Sequence, residues 1–399
     1  MPMILLILDG LTDAPSKALG GKTPYEAADC PYLRQMKRDG AYGAFLTAPQ
    51  GFSVDSLTCI ATLLGVPPNK LPAGRAYMEA LSAGVSVEQD DAVCRCNLVS
   101  VDSNGILQSS CATGLSAIQM KEYCQQAAEQ NFRLHPMCGY KNLLVLGGGA
   151  QQLMGIHTYP PHEHLGKPVD SLLPTGNQFA QSLREFAWQT RRKDTHTECT
   201  QMLLPWDVAV RQELPEFSSL HGISAAAVCA TEIVRGIALA MGLPVETPQG
   251  ATADADTDLG AKAQAALSLL ERHDLVLVHI NGTDELSHRR DAQGKAEFLS
   301  RIDAQLIAPL LTHAPQNTAF LVCSDHSTLS STGQHHGDPQ PFILYSNTGA
   351  MHANLGTYNG LEAISLLKGL IYYGKGNHGT RDDFKRGQKP ADSGTLPHF

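Results

Sequence analysis

The sequence lacks the features of a membrane protein, a nucleic-acid-binding protein and a disulfide-stabilised protein. No apolar run approaches the roughly 20 residues of a membrane-spanning helix, and no secretory leader pattern is present. The formal net charge is -9 and no long basic run offsets it, which argues against a nucleic-acid partner. The ten cysteines include no pair of CxxC motifs, which fits a reducing compartment. We therefore expect a cytoplasmic protein whose partners are neither membranes nor nucleic acids.

Alternating strand and helix patterns predict the fold class. Apolar strand patterns occur at 3 to 8, 225 to 228 and 275 to 280. Helical patterns begin near Ser56 and occur at 231 to 241 and 260 to 272. This alternation predicts an α/β protein with a mostly parallel sheet flanked by helices.

The length of the chain and a change in its predicted secondary-structure pattern indicate two domains. The 399 residues, 43% of them hydrophobic, exceed one average domain. Residues 90 to 170 combine short strand patterns with turns, which predicts an inserted, substrate-covering α+β domain. The core then comprises residues 1 to 89 and 171 to 379, and residues 380 to 399 are predicted to be a disordered tail.

Acidic and imidazole side chains follow three apolar strand patterns. Asp9 comes directly after the first pattern, and Asp325 and His326 follow the run Ala-Phe-Leu-Val-Cys after one intervening serine. Asp284 and His288 follow a third pattern, four residues apart, and would share one face of a helix. Because the carboxyl ends of parallel strands meet at one edge of a sheet, we expect these side chains to lie together.

The residue types predict a centre with two metal ions. Mixed carboxylate and imidazole ligands suit Mn, Zn, Co or Fe better than Ca or Mg. Taken singly, each Asp or His is better explained as a cap or a hydrogen-bonded polar residue, but the recurrence at three strand ends favours a metal site. Seven candidates suit two ions about 4 Å apart that hold a transferring phosphoryl group. The candidate ligands are Asp9, Ser56, Asp284, His288, Asp325, His326 and His335.

These motifs resemble those of the cofactor-independent (2,3-bisphosphoglycerate-independent) phosphoglycerate mutases. The motifs are Asp9-Gly, Thr283-Asp-Glu-x-x-His, Asp325-His-Ser-Thr, and His335 ahead of Gly-Asp-Pro. The chain is similar to the shorter, archaeal-type branch of that family, within the alkaline phosphatase superfamily, from about residue 3 to about residue 375. The resemblance implies an alkaline-phosphatase-like α/β core with an inserted domain.

The resemblance also implies a nucleophilic serine and two divalent ions. Ser56 is the first residue of the helix that carries the nucleophile in the family, and nearby Ser53 is the alternative candidate for the nucleophile. In the alternative interpretation, Ser56 only caps that helix. One ion is then held by Asp9, Ser56, Asp325 and His326, and the other by Asp284, His288 and His335, with His336 as an alternative to His335. Mn²⁺ is the first choice of metal, with Zn²⁺, Co²⁺ or Mg²⁺ as alternatives.

Several positions depart from the family pattern. Leu57 stands where an acidic residue usually follows the nucleophile, and residues 207 to 210 replace a glycine-rich segment after Trp206. Lys141 stands where the family tends to have Arg, and Arg235 where it tends to have Lys. Each candidate for the substrate pocket is also compatible with a solvated surface charge. These candidates are Arg75, Arg95, Lys141, His162, Arg211 and Arg235.

The resemblance implies interconversion of 3-phosphoglycerate and 2-phosphoglycerate through a phosphoserine, without a bisphosphoglycerate cofactor. The substrate is then a small phosphorylated carboxylic acid. The departures leave an alternative in which the same metal core moves phosphate to homoserine, another small alcohol or water. A third hypothesis is a catalytically silent binding protein, which predicts that no transition metal is bound.

Overall fold

The computed structural model of the protein describes residues 1–194 and 197–373. The chain divides into two units. Unit 1 contains Met1–Leu71 and the chain from Leu214 onward, and unit 2 contains Pro72–Glu213. The tail predicted at 380 to 399 lies outside the described residues.

The strands and helices have the following bounds. The strands are β1 (Met3–Leu8), β2 (Ala41–Leu46), β3 (Ala92–Val101), β4 (Leu107–Ser109), β5 (Phe132–Pro136), β6 (Lys141–Leu146), β7 (Arg192–Lys193), β8 (Thr200–Val210), β9 (Ala225–Val228), β10 (Val245–Glu246), β11 (Leu275–Ile280), β12 (Ala319–Cys323), β13 (Ser327–Leu329), β14 (Gln334–His336), β15 (Gln340–Ser346) and β16 (Ala353–Asn359). The helices are α1 (Pro24–Ala27), α2 (Pro31–Asp39), α3 (Ser56–Leu63), α4 (Ala76–Ser82), α5 (Ala117–Glu129), α6 (Gln178–Gln189), α7 (Phe217–His221), α8 (Glu232–Ala240), α9 (Leu259–Leu270), α10 (Gly282–His288), α11 (Ala292–Ile302), α12 (Ala308–His313) and α13 (Ala363–Tyr373). A π-helical turn, Asp303–Ile307, joins α11 to α12.

An eight-stranded sheet organises unit 1, in the order β10-β9-β11-β1-β12-β15-β2-β16. β1 pairs in parallel with β11 and β12, whereas β15 is antiparallel to both of its neighbours. The apolar sequence of β1 is buried along its whole length, as expected for a central parallel strand covered on both faces. Leu8 pairs with Ile280, and Ile7 pairs with Cys323. The carboxyl ends of β1, β11 and β12 therefore lie side by side, which positions the polar residues that follow them.

Helices α2, α9 and α11 cover one face of this sheet. Ile4 and Leu6 of β1 lie in one buried cluster with Leu33 of α2, Ala266 of α9 and Leu299 of α11. Full burial of one such aliphatic side chain contributes about 1.5–3 kcal/mol. The strand ends are thus attached to a well-packed core.

Unit 2 contains an antiparallel sheet in the order β5-β6-β3-β8-β7, with β4 paired to β3. Alternate side chains of β3 enter two different clusters. Cys94 and Cys96 lie in a buried cluster with Tyr123 of α5 and Phe186 of α6. Val99 lies in a second buried cluster. Both faces of this sheet therefore carry apolar cover.

The predicted α/β class with a mostly parallel sheet is confirmed. Unit 2 is wider than the insertion predicted at 90 to 170, and the predicted core bounds of 1 to 89 and 171 to 379 shift accordingly. The reason is that β8 pairs with β3 along its length, and α4 contacts the same two strands. Every helix in the described part of the chain is too short or too polar to cross a membrane.

Candidate metal centre

Asp9, Asp325 and His326 meet where β1 and β12 end, and all three side chains are fully buried. His326 Nε2 lies 3.5 Å from Asp9 Oδ1 and 3.3 Å from Asp325 Oδ2. The other oxygen of Asp325 accepts hydrogen bonds from the backbone N–H groups of Gly10 and His326, at 3.1 Å and 2.9 Å. One ligand atom from each of the three residues lies within 4.8 Å of the others. We call these three residues and Ser56 the first cluster.

Ser56 reaches this cluster from the first turn of α3. Its hydroxyl donates to Asp9 Oδ2 at 3.2 Å and lies 3.3 Å from His326 Nε2. The N-cap of α3 is Asp55, whose side chain accepts from the Thr58 backbone N–H at 2.8 Å. The alternative interpretation of Ser56 as the helix cap is therefore wrong, and its hydroxyl lies among the candidate ligands instead.

The first cluster carries negative charge that a cation would balance. Asp9 Oδ1 and Asp325 Oδ2 are buried and accept no hydrogen bond from any described residue. Burial and the nearby carboxylates of Asp325 and Asp284 raise the pKa of Asp9 well above its ordinary value. Buried carboxylate oxygens without donors are costly unless they are neutralised or bind a metal. Two carboxylates, an imidazole and a hydroxyl form a donor set that fits a divalent transition metal.

Asp284, His288 and His335 form the second cluster. His288 Nε2 lies 3.1 Å from Asp284 Oδ2, and His335 Nε2 lies 3.5 Å from Asp284 Oδ1. Burial alone would raise the pKa of Asp284, but its hydrogen bonds with His288 and His335 hold that pKa well below its ordinary value. The hydrogen bond with Asp284 raises the pKa of His288 in turn. The carboxylate and the two imidazoles thus form one electrostatic unit.

The two imidazoles of the second cluster are oriented as metal ligands. His288 Nδ1 donates to the Gly333 carbonyl at 2.8 Å, and His335 Nδ1 donates to the Val54 carbonyl at 3.1 Å. A ring that gives up its Nε2 proton keeps its Nδ1–H group and therefore presents its lone pair on Nε2, and the two Nε2 atoms lie 3.2 Å apart. Two lone pairs at that distance repel each other unless a proton or a cation lies between them. This donor set also fits a divalent metal.

The hairpin β13–β14 distinguishes His335 from His336. The neighbours pair with Thr328 and Ser327 respectively, so their side chains point to opposite sides of the hairpin. His335 is half-buried, whereas His336 is exposed. The His335 ring also stacks on that of His326, with centroids 4.0 Å apart. The two clusters therefore adjoin, and all seven predicted ligands lie in them.

Two further buried residues contact the candidate ligands and are absent from the predicted set. His279 Nε2 donates to Asp9 Oδ2 at 3.0 Å, and burial lowers the pKa of His279 to about 3, which keeps the ring neutral. Thr328 Oγ1 donates to Asp284 Oδ1 at 2.6 Å and lies 3.1 Å from His326 Nδ1. Their sequence signals are an imidazole inside an apolar strand and the threonine that ends the Asp-His-Ser-Thr motif.

Three of the predicted substrate residues lie together in unit 2. Arg95 Nε lies 3.0 Å from Glu79 Oε2, and its guanidinium lies 4.1 Å from the Trp206 ring centroid. Arg75 Nε lies 3.8 Å from Glu79 Oε1. The His162 ring lies 5.4 Å from that of Trp206. The Arg75 side chain is 41% exposed and that of Arg95 only 12%, so Arg75 is the more accessible guanidinium.

The other three candidates for the substrate pocket are Lys141, Arg211 and Arg235. Lys141 begins β6 and lies on the same side of the unit 2 sheet as Arg95. Arg211 follows β8, and its side chain is 44% exposed. Arg235 lies on α8 of unit 1, where it donates a hydrogen bond to Thr247 Oγ1.

Comparisons with known proteins identify the family of the chain. A family profile described as the metalloenzyme superfamily matches residues 1–367. The 2,3-bisphosphoglycerate-independent phosphoglycerate mutase of Methanopyrus kandleri is 31% identical, over 92% of this chain and 96% of that relative. A probable enzyme of the same name from Geobacter sulfurreducens is 28% identical, over 93% of this chain and 96% of the relative.

Solved structures show the same fold. The PH0037 protein from Pyrococcus horikoshii has a TM-score of 0.74 at 25% identity, over 93% of this chain and 97% of that chain. The cofactor-independent phosphoglycerate mutase from Thermoplasma acidophilum has a TM-score of 0.57 at 20% identity, over 92% and 99%. The predicted family is confirmed by the sequence matches and its fold by these structures. The chain belongs to the metalloenzyme superfamily and, within it, to the family of 2,3-bisphosphoglycerate-independent phosphoglycerate mutases.

Proposed function

We propose that the chain interconverts 3-phosphoglycerate and 2-phosphoglycerate through a phosphoserine at Ser56, with two divalent metal ions and no bisphosphoglycerate. The family supports the reaction, because its curated members carry that name. One observation carries the mechanism. Ser56 Oγ lies 3.2 Å from Asp9 Oδ2 and 3.3 Å from His326 Nε2, beside buried carboxylate oxygens that a cation would neutralise.

In the proposed transfer, Ser56 Oγ attacks the phosphorus of the substrate. The Oγ–P bond forms while the bond between phosphorus and the substrate's hydroxyl oxygen breaks, and the leaving oxygen takes up the proton that Ser56 gives to Asp9. Asp9 Oδ2 accepts the Ser56 proton, because it already accepts the hydrogen bond from that hydroxyl. The neighbouring hydroxyl of the bound glycerate then attacks the phosphoserine, so that a new O–P bond forms as the Oγ–P bond breaks, and the proton of that hydroxyl returns through Asp9 to Ser56 Oγ. Ser56 is the first residue of α3, so the helix N-terminus favours the added negative charge.

The chain supplies a separate ligand set for each ion. Bound ions supply Lewis-acid stabilisation of the negative charge on the phosphoryl oxygens. The first ion would be held by Asp9, Ser56, Asp325 and His326, and the second by Asp284, His288 and His335. Carboxylate and imidazole donors favour Mn²⁺, with Zn²⁺, Co²⁺ or Mg²⁺ as alternatives.

We assign recognition of the substrate's negative charges to cationic side chains. Arg75 is the foremost of them, because it is more exposed than Arg95 and lies farther from the Glu79 carboxylate. Arg95 stacks on Trp206 and pairs with Glu79, so its guanidinium is held in a fixed position and helps to form the wall of the proposed pocket as well as supplying charge. The proposed set is Arg75, Arg95, Lys141, His162, Arg211 and Arg235.

A coupled assay with 3-phosphoglycerate, enolase and Mn²⁺, without bisphosphoglycerate, tests the proposal. We expect Ser56→Ala to lower turnover by roughly 10³-fold or more, because the nucleophile is lost. Ser53→Ala is the matched control, since it removes an exposed hydroxyl three residues earlier and should leave turnover unchanged. Acid-quenched wild-type protein should carry one phosphoryl group that the Ser56 variant lacks.

Other results would contradict parts of the proposal. If the intact, metal-loaded protein converts no phosphoglycerate, the mutase reaction is wrong. Phosphate transfer from ATP to homoserine, or phosphate release from generic monoesters, would then support the related alternative that the departures at Leu57 and 207 to 210 suggest. If turnover falls with Ser53→Ala and persists with Ser56→Ala, the nucleophile is Ser53.

A further inference from the structure

Thr328 is a buried residue of β13 that contacts both ligand clusters. Its Oγ1 donates to Asp284 Oδ1 at 2.6 Å, in the second cluster, and lies 3.1 Å from His326 Nδ1, in the first. Its backbone pairs across the hairpin with His335, which is also in the second cluster. Thr328 therefore contacts residues of both clusters.

The two hydrogen bonds of this hydroxyl fix where the protons lie. A threonine hydroxyl has one hydrogen, and the carboxylate of Asp284 can only accept it. Thr328 Oγ1 therefore accepts the remaining bond from the Nδ1–H group of His326. With its proton on Nδ1, His326 presents a lone pair on Nε2 toward Asp9 and Asp325. One hydroxyl thus sets the tautomer of His326 and the direction of Asp284.

Thr328 is itself held from behind by a buried ion pair. Lys295 Nζ donates to the Thr328 carbonyl oxygen at 3.1 Å and to Asp13 Oδ2 at 3.1 Å. The Lys295 and Asp13 side chains are 0% and 2% exposed. Asp13 also accepts from the Ser330 backbone N–H at 3.0 Å. The backbone is thereby fixed at Thr328 and again two residues later, at Ser330.

We propose that Thr328 is a positioning residue that couples the two metal clusters, because its single hydroxyl orients one ligand of each. This inference rests on the metal centre of the proposed function. Without the hydroxyl, His326 is free to adopt its other tautomer and Asp284 loses the shortest of the hydrogen bonds that orient it, so each ion has a less well-oriented ligand. Loss of such a supporting hydrogen bond typically weakens metal binding by roughly 10- to 100-fold.

Calorimetric titration of Mn²⁺ into the full, metal-stripped chain tests this coupling. Thr328→Val replaces the hydroxyl with a methyl group of similar size, and Thr328→Ser keeps the hydroxyl. We expect the valine variant to weaken both Mn²⁺ binding events about 10-fold or more and the serine variant to stay near wild type. Thr328→Ala gives a second hydroxyl-free variant with a smaller side chain, in case the valine variant folds poorly.

Ser327→Ala is the matched control. Ser327 is a buried neighbour on the same strand, and its hydroxyl contacts Thr12 and Gln340 rather than a candidate ligand. It should therefore bind Mn²⁺ like the wild type. Thermal unfolding of the metal-free variants separates a general loss of stability from a specific loss of metal affinity.

Each remaining outcome overturns the inference. Wild-type affinity in both hydroxyl-free variants, weakening of only one binding event, or equal weakening by Ser327→Ala would each exclude a coupling role for Thr328 and leave the proposed metal centre standing. A wild-type protein that binds no Mn²⁺, Zn²⁺ or Co²⁺ would overturn the proposed metal centre together with the inference.

Discussion

Gly10, directly after the candidate ligand Asp9, has no space for a side chain. Its φ is +60°, and a Cβ atom there would lie 2.7 Å from Thr328 Oγ1 and 2.9 Å from Asp284 Oδ1. Left-handed backbone costs an alanine about 1–2 kcal/mol, and overpacking typically adds about 1–3 kcal/mol. We therefore expect Gly10→Ala to lower the free energy of unfolding by about 2–5 kcal/mol. It should also weaken Mn²⁺ binding, because the new methyl group displaces Asp284.

Gly20 offers a control with the same backbone strain and no steric conflict. Its φ is +66°, and apart from Gly20 and its two chain neighbours no described residue has an atom within 4 Å of the position that a Cβ would take there. Gly20→Ala should therefore cost about 1–2 kcal/mol in urea unfolding and leave the Mn²⁺ titration unchanged. Equal effects of the two substitutions on stability and metal binding would show that the contacts around Gly10 are unimportant.

The sequence indicated the candidate ligands more readily than the residues that contact them. Asp9 and Asp325 were recognisable because acidic and imidazole side chains recur at the ends of three apolar strand patterns. His279 lies inside the apolar strand β11, where an imidazole looks like a core residue until its 3.0 Å bond to Asp9 is seen. Thr328 belongs to the Asp-His-Ser-Thr motif, but its role depends on Asp284, 44 residues earlier. Roles that depend on distant partners leave no local pattern.

The same distinction applies to strands. The apolar patterns at 3 to 8, 225 to 228 and 275 to 280 coincide with β1, β9 and β11, because strands buried on both faces are continuously apolar. The hairpin β13–β14 has strands of three residues each and a polar sequence, and it was not predicted. Its position depends on contacts with Thr12 and Asp13 after β1, which the local sequence does not encode.

Asp91 joins three strands of unit 2 and gives their packing a pH dependence. It directly precedes β3 and accepts hydrogen bonds from Arg133 of β5 at 2.7 Å and from the Gly148 backbone after β6 at 3.3 Å. Burial alone would raise the pKa of Asp91, but these bonds hold that pKa below its ordinary value. A carboxyl group whose pKa is lower in the folded state contributes stability above its unfolded pKa, near 3.9, and loses it as pH falls through the folded value.

We therefore expect Asp91→Asn to cost about 1 kcal/mol of unfolding free energy at pH 7, since Arg133 is half-exposed and the ion pair is partly screened. The difference from wild type should shrink as the pH falls below about 4. Trp188 and Trp206 both lie in unit 2, so tryptophan fluorescence in urea follows this unit. Asp90→Asn changes the exposed neighbour and should have little effect at either pH. A cost that stays constant down to pH 3 would exclude the carboxylate as its source.

The division of the chain into units depends on pairing between distant segments. β3 and β8 pair from Ala92 with Val210 to Val101 with Thr200, so the sheet of unit 2 closes between segments about a hundred residues apart. The change in predicted secondary-structure pattern at 90 to 170 covers the middle of this unit but neither of its ends. Local patterns indicate that an insertion exists, whereas its bounds follow from which strand returns to pair with it.

Metal binding in unit 1 should be visible in the stability of the chain. A ligand that binds only the folded state, at a concentration 100 times its dissociation constant, adds about 2.7 kcal/mol. We therefore expect EDTA to lower the unfolding temperature and Mn²⁺ to restore it. Hydrogen exchange should become faster without metal in the peptides that contain Asp9, Asp284 and Asp325. Unchanged exchange in those peptides would contradict the proposed metal centre, whatever happens to the unfolding temperature.

Asp325→Asn tests the proposed metal centre by removing one of the buried negative charges that the metal would neutralise. In the metal-free chain, Asp325 Oδ2 and Asp9 Oδ1 are buried acceptors without donors among the described residues. An amide at position 325 removes one negative charge and can donate to Asp9, so the metal-free variant should be at least as stable as the metal-free wild type. With Mn²⁺ the order should reverse, because the variant has lost a charged ligand. If wild type is the more stable protein under both conditions, the carboxylate stabilises the fold directly and its burial needs no metal.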